Sequence, residues 1–258
     1  MSAPRIPSEL TDAIIDCLRE DNQALGRCST VCRAWLARSR YHHFRHVTLS
    51  FKDRNCIRTL FDPSLSTTIP YIRSLHLVDG RAPSERWLND TMTWLAMFSA
   101  VESLTMENAA FLRLDSSTTT IFLSSFPVLR ELRVHWAYFR SFVQLIHMVD
   151  ACPLLEHMSL DGLQYWDQVD HQLSLADPRP HRLVTLELGL CDKVAITEWL
   201  LAGPNALALT RFRATSIALD QVASTGTLLR SLAPTLEHLE FGLDRYHVES
   251  AVFIGTPC

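Results

Sequence analysis

Cys28 and Cys32, followed by His42, His43 and His46, form the densest set of metal-ligating side chains in the sequence. Thiolates and imidazoles bind zinc when their spacing lets four of them converge on one tetrahedral site. Here both cysteines fall on the apolar stripe of an amphipathic run, and His42 and His43 are adjacent at its exit. They read as core positions, and no metal is expected. Nucleophilic, phosphate-cradling and metalloprotease motifs are also missing: there is no Gly-x-Ser-x-Gly, no Gly-x-Gly-x-x-Gly and no His-Glu-x-x-His, and the eight glycines are scattered. No catalytic residue and no cofactor is expected, and the chain is not expected to be an enzyme.

The chemistry that remains is recognition, and its residues sit at fixed positions of a repeat. The pattern apolar-x-x-apolar-x-apolar occurs eight times, from Phe44/Val47/Leu49 to Leu236/Leu239/Phe241. Its first positions are about 26 to about 29 residues apart, the period of leucine-rich repeats. Pro70, Pro127, Pro153 and Pro234 each stand two residues before a first apolar position, where proline ends a helix and favours an extended segment. Helix-like runs lie between the copies at Trp87–Phe98, Thr119–Phe126, Phe139–Val149, Val194–Leu201 and Leu219–Leu232. A strand, a crossover helix and a strand at constant period imply a parallel sheet with helices on its outer side. The region 46–258 therefore resembles a degenerate leucine-rich-repeat solenoid with a curved parallel sheet. Asp79, Ala109 and Gly162 stand where the family often has asparagine or cysteine, so side-chain ladders along the turns are expected to be missing.

Strand alternation sends the apolar residues into the core and the intervening ones to the concave face. That row includes Arg133, His135, His157, Glu187, Arg211 and Arg213. Its mixed charge suits a protein segment better than an apolar small molecule or a polyanion. The irregular stretch Leu163–Pro180, with Tyr165 and Trp166 beside acidic residues, reads either as a loop projecting toward a partner or as an outer covering segment.

The first forty-five residues carry a different pattern. Leu10, Ala13, Ile14, Cys17 and Leu18 make one stripe of a helix, with Ile15 off it, and Pro7 with Ser8 supplies a helix start. The same offsets recur at Cys28, Val31, Cys32, Trp35 and Leu36, and Glu20-Asp21-Asn22 offers caps between the two helices. Gly26 lets a short middle segment turn around Leu25. A unit of about forty residues has a marginal core, so an unsatisfied apolar face is expected. Ile6-Pro7-Ser8-Glu9-Leu10, Ile14-Ile15, Leu18, Asp21, Leu25 and the Val31-Cys32-Arg33-x-Trp35 signature together resemble an F-box, over residues 4–45. The resemblance implies a three-helix domain that binds the Skp-type adaptor, and through it a cullin, in an SCF-type ubiquitin ligase. By position the contacts would be Ile6, Pro7, Leu10, Ile14, Leu25, Val31 and Trp35. The expected function is then a substrate-recognition subunit. The alternative is an interaction scaffold not coupled to ubiquitination.

Composition fits an α/β protein with an extended core: 47% of the 258 residues are hydrophobic and 20% charged. A net charge of −4 argues against general attraction to nucleic acid, and no secretory signal or membrane span is read, so a cytoplasmic or nuclear location is expected. Seven widely spaced cysteines read as reduced core thiols. After Phe241 no amphipathic helix or polar cap follows, which suggests a C-terminally incomplete repeat domain or a last repeat covered by a partner.

Overall fold

The computed structural model describes residues 7–50, 67–78, 95–114, 122, 124–166, 182–202 and 207–243. Each of the eight repeat copies contributes a strand. In chain order the strands are β1 (His46–Ser50), β2 (Ser74–Val78), β3 (Ser103–Glu107), β4 (Glu131–His135), β5 (Tyr138–Phe139), β6 (His157–Asp161), β7 (Gln164–Tyr165), β8 (Thr185–Leu188), β9 (Arg211–Ile217) and β10 (His238–Leu243). Eight of them form one parallel sheet in the order β1-β2-β3-β4-β6-β8-β9-β10, and β5 pairs with β7 in a short second sheet. The protein is thus α/β with a large parallel sheet.

Register explains the layering. Leu49, Leu77, Met106, Val134, Leu160, Leu188 and Ala214 are partners in successive strand pairs, so each repeat position stacks on its own counterpart. With a side-chain period of two, one face of the sheet is apolar and packed into the core from β1 to β9 and the other is polar, whereas Leu239 and Phe241 of β10 are 46% and 62% exposed. Helices α4 (Phe142–Asp150), α5 (Lys193–Leu201) and α6 (Val222–Leu232) add Leu145, Ile146, Ile196, Trp199, Leu228 and Leu232 to the same core. Trp199 meets Phe142 edge-on at 6.3 Å between ring centres. The helix expected from Phe139 starts at Phe142 instead, because Phe139 is held in β5 and its ring stacks on Phe111 at 4.7 Å. Most of the runs expected at 87–98 and 119–126, and the stretch 167–180, lie outside the described residues.

The turns after the strands share a device that the sequence reading missed. Asn108, Trp136 and Gly162, each the first residue after its strand, and Ser216, at the matching repeat position within β9, have φ of 58°, 55°, 65° and 52°. Side-chain ladders, expected to be missing, are present in another form. Gln144 donates to the Phe111 carbonyl at 3.1 Å and accepts from the Arg140 amide at 2.9 Å. Gln221 likewise donates to the Cys191 carbonyl at 3.3 Å and accepts from the Ala218 amide at 3.4 Å. The Asp161 carboxylate accepts from the Leu190 amide at 2.7 Å. A Cβ on Gly189 would stand 2.0 Å from that carboxylate oxygen, which is why the position is glycine. Buried Lys193 donates to the Gly189 carbonyl at 2.6 Å and to the Ser216 carbonyl at 3.2 Å, tying two turns together.

Three helices precede the sheet: α1 (Ser8–Cys17), α2 (Asn22–Cys28) and α3 (Arg33–His43). Ser8 is the first helical residue and not a side-chain cap; Thr11 donates from its hydroxyl to the Pro7 carbonyl at 3.3 Å instead. Asp21 caps α2, accepting from the Ala24 amide at 2.9 Å. The second stripe read from the sequence is split between elements, since Cys28 ends α2 and Cys32 precedes α3; the two cysteines do not share a helix face. Among the described cysteines, Cys28 and Cys152 are buried but Cys17 and Cys32 are exposed, so the reading of the thiols as core residues holds only in part. The unit joins the sheet where α3 runs into β1. There the Arg45 carbonyl accepts from the Arg73 and Ser74 amides at 3.0 and 2.9 Å, and Arg40 donates to the Thr67 hydroxyl at 2.6 Å.

Candidate functional site

Two surfaces hold the residues singled out by the sequence. The first lies on the three-helix unit. Thr11 and Ile15 are the buried residues of α1, so the stripe read as apolar turns outward: Leu10 is 58% and Ile14 47% exposed. Val31, in the turn between α2 and α3, is 61% exposed, Pro7 is exposed and Trp35 is half-buried. Leu25 departs from its expected role. It is fully buried, 0% exposed, because one turn of α2 has only Leu25 and Cys28 to form the unit's inner face. It is a core residue and not a contact. Ile6 lies outside the described residues.

A polar latch sets which face of α1 turns inward. Arg38 of α3 grips the Asp16 carboxylate with Nε at 2.5 Å and Nη2 at 2.6 Å, and His42 Nε2 lies 2.7 Å from the same group. The hydrogen bonds from Arg38 and His42, aided by their charges, outweigh partial desolvation and lower the Asp16 pKa to about 2. The same hydrogen bond raises the pKa of Arg38. Bidentate guanidinium–carboxylate pairing has a fixed geometry, so it orients α1 as well as holding it. The sequence reading did not find this latch; its one trace was the i, i+4 placement of Arg38 and His42 on one helix face.

The second surface is the polar face of the sheet. Arg133, His157, Arg211 and Arg213 are exposed there, and His135 and Glu187 are half-buried. In register, Arg133 neighbours Thr105 and Ser159, Glu187 lies between Ser159 and Arg213, and Arg211 lies between Thr185 and His238. Two depressions share Thr185 and Glu187. One of about 60 Å³ includes Arg133 and His157; the other, about 530 Å³, includes Arg211, Arg213, His238 and Glu240. The structure therefore brings together five of the six expected residues. His135 stands apart at the C-terminal end of β4, between Glu107 and Asp161.

Local pairing changes the charge of this face. Arg133 reaches Glu131 on its own strand at 2.6 Å, and Arg213 reaches Glu240 at 3.3 Å. Burial pushes the Glu131 pKa up, but hydrogen bonds from Ser103 and Arg133 and the charges of Arg133 and His157 outweigh it and hold it below the usual range. Among the described residues Arg211 has no carboxylate partner, which makes it the free cation of the larger depression. The arrangement supports hydrogen bonding and charge pairing with a polar partner.

Among the described residues no three His, Cys, Asp or Glu side chains gather to hold a metal ion, and no helix is long and apolar enough to cross a membrane. Desolvation pushes the pKa values of buried Cys152 and half-buried Cys191 up to about 12, which disfavours their thiolates. The chain matches no protein-family model and no curated protein.

Proposed function

We propose that the chain is the substrate-recognition subunit of an SCF-type ubiquitin ligase. In this reading α1–α3 form an F-box that binds a Skp-type adaptor and through it a cullin, while the sheet is a degenerate leucine-rich-repeat solenoid whose polar face holds a target protein. The observation that carries the reading is the outward apolar stripe of α1. Leu10 and Ile14 stay in water although the same helix has a buried side. Helix-in-groove recognition needs such anchors at i and i+4, and a few of them supply most of the binding energy. With Leu25 assigned to the core, the contacts are Pro7, Leu10, Ile14, Val31 and Trp35, with Ile6 before them. The free Arg211 and the depression around it are the matching feature for a target. The ligase chemistry belongs to the partners, and the assembly works in the cytosol or nucleus.

The test is pull-down and calorimetry with purified adaptor. Leu10→Ala combined with Ile14→Ala is expected to lose at least ~2 kcal/mol of binding, about thirtyfold. Arg211→Glu is expected to leave adaptor binding intact and to remove the cellular target in affinity purification. Full adaptor affinity in the folded Leu10/Ile14 double variant would overturn the contact surface.

A further inference from the structure

The rim at the C-terminal ends of β4, β6, β8 and β9 holds a groove that the adaptor and target surfaces do not use. Its volume is about 530 Å³, in the range of sites that hold small ligands or a few side chains, and its lining includes Trp136, Gln164, Leu190, Asp192, Asp220 and Gln221. Trp136 is the anomaly. Three other turns reach the left-handed region at the matching position with Asn108, Gly162 and Ser216, while Leu190 stands there without a positive φ. A bulky side chain at φ of 55° is strained, and at 47% exposed Trp136 recovers little of that by burial. Its indole lies against Gly162, where an added Cβ would come within 2.5 Å of the ring. Backbone and neighbour together fix a flat aromatic platform at the mouth of the groove. Exposed Leu190 adds an apolar patch to the lining.

Among the described residues that line the groove, Asp192 and Asp220 are the charged ones, and no described arginine or lysine lines it. The nearest cation, Lys193, spends its ammonium on the Gly189 and Ser216 carbonyls. The N-terminus of α5 is already answered by Asp192, which accepts from the Val194 and Ala195 amides at 3.0 and 3.1 Å. Arginine side chains suit both features, one stacking its guanidinium on the indole and another facing the Asp220 carboxylate three strands away. Exposed Gln164 offers an amide group to a passing backbone.

From these observations we infer that this rim groove binds an extended segment of a partner protein in which arginine alternates with apolar residues. The inference stands independently of the adaptor reading, and its test uses the full chain alone. The probe is a fluorescein-labelled decapeptide alternating leucine and arginine, followed by anisotropy beside matched leucine/glutamine and leucine/glutamate peptides. The arginine peptide is expected to bind at least tenfold more tightly than either control. Trp136→Gly, which suits the left-handed turn, and Asp220→Asn are each expected to weaken it at least fivefold. Glu240→Gln, on the polar sheet face, is expected to leave it unchanged. Equal binding of the three peptides overturns the inference, and so does an equal loss in the Glu240 variant, which would mean that the protein's overall charge holds the peptide. Unchanged binding by both groove variants also overturns it.

Discussion

The three-helix unit and the sheet solve the same problem, hiding apolar surface, in opposite ways. In the sheet every strand has a neighbour in register and the described helices α4–α6 pack behind it, so the apolar face from β1 to β9 joins one core and the opposite face is left polar. The unit is too small for that. It buries little more than Ile15, Leu25 and Cys28, leaves Leu10, Ile14 and Val31 in water, and fixes α1 through the Asp16–Arg38–His42 latch. A repeat architecture can leave one face polar because neighbouring repeats supply its core, whereas a small unit is held by a few specific bonds and leaves part of its apolar surface in water.

Substitutions that act on one region and spare the other sharpen this contrast. The largest effect is expected from Trp199→Ala, which empties the buried junction between α5 and Phe142 and should cost ~3–5 kcal/mol in urea unfolding. A loss under 1 kcal/mol would mean that the helix layer is not closely packed. Asp16→Asn comes next. A folded pKa of about 2 against the ordinary 3.8 corresponds to ~2.5 kcal/mol before screening, and the partly exposed carboxylate reduces this to ~1 kcal/mol. Because the pKa is depressed, this contribution is complete above about pH 4 and is lost as the pH falls toward 2. The stability gap between wild type and Asp16→Asn should therefore be present at neutral pH and close near pH 2; a gap that ignores pH would remove the ionic account. The smallest effect is expected from Leu10→Ala with Ile14→Ala, within ~0.5 kcal/mol by thermal unfolding, since neither side chain is buried. A large destabilisation would show that the outward stripe is part of the core.

Much of the sheet was legible in the chain because repetition averages out local ambiguity. One six-residue pattern recurs eight times, its period fixes parallel pairing, and the strands appear at all eight copies. Helix boundaries were less legible: Phe139 fits the amphipathic run beyond it, and only its pairing in β5 and stacking on Phe111 withdraw it from the helix. The glutamine ladders were missed for a similar reason, since Gln144 and Gln221 bond to residues 33 and 30 positions away. In the candidate site, alternation alone put Arg133, His157 and Arg211 on the open face. Their pairing states, with Arg133 neutralised by Glu131 and Arg211 left free of described carboxylates, depend on side-chain reach.

Periodicity, proline placement and composition by themselves determined that this protein builds a parallel sheet with helices behind it and that three helices come first, because those features depend on spacing along the chain. Which side of α1 faces water, that Leu25 is core, and that Trp136 stands exposed in a strained turn were decided only by the tertiary structure. A stripe of apolar residues specifies an amphipathic helix but not its partner, and here an ion pair between residues 22 positions apart chooses the face.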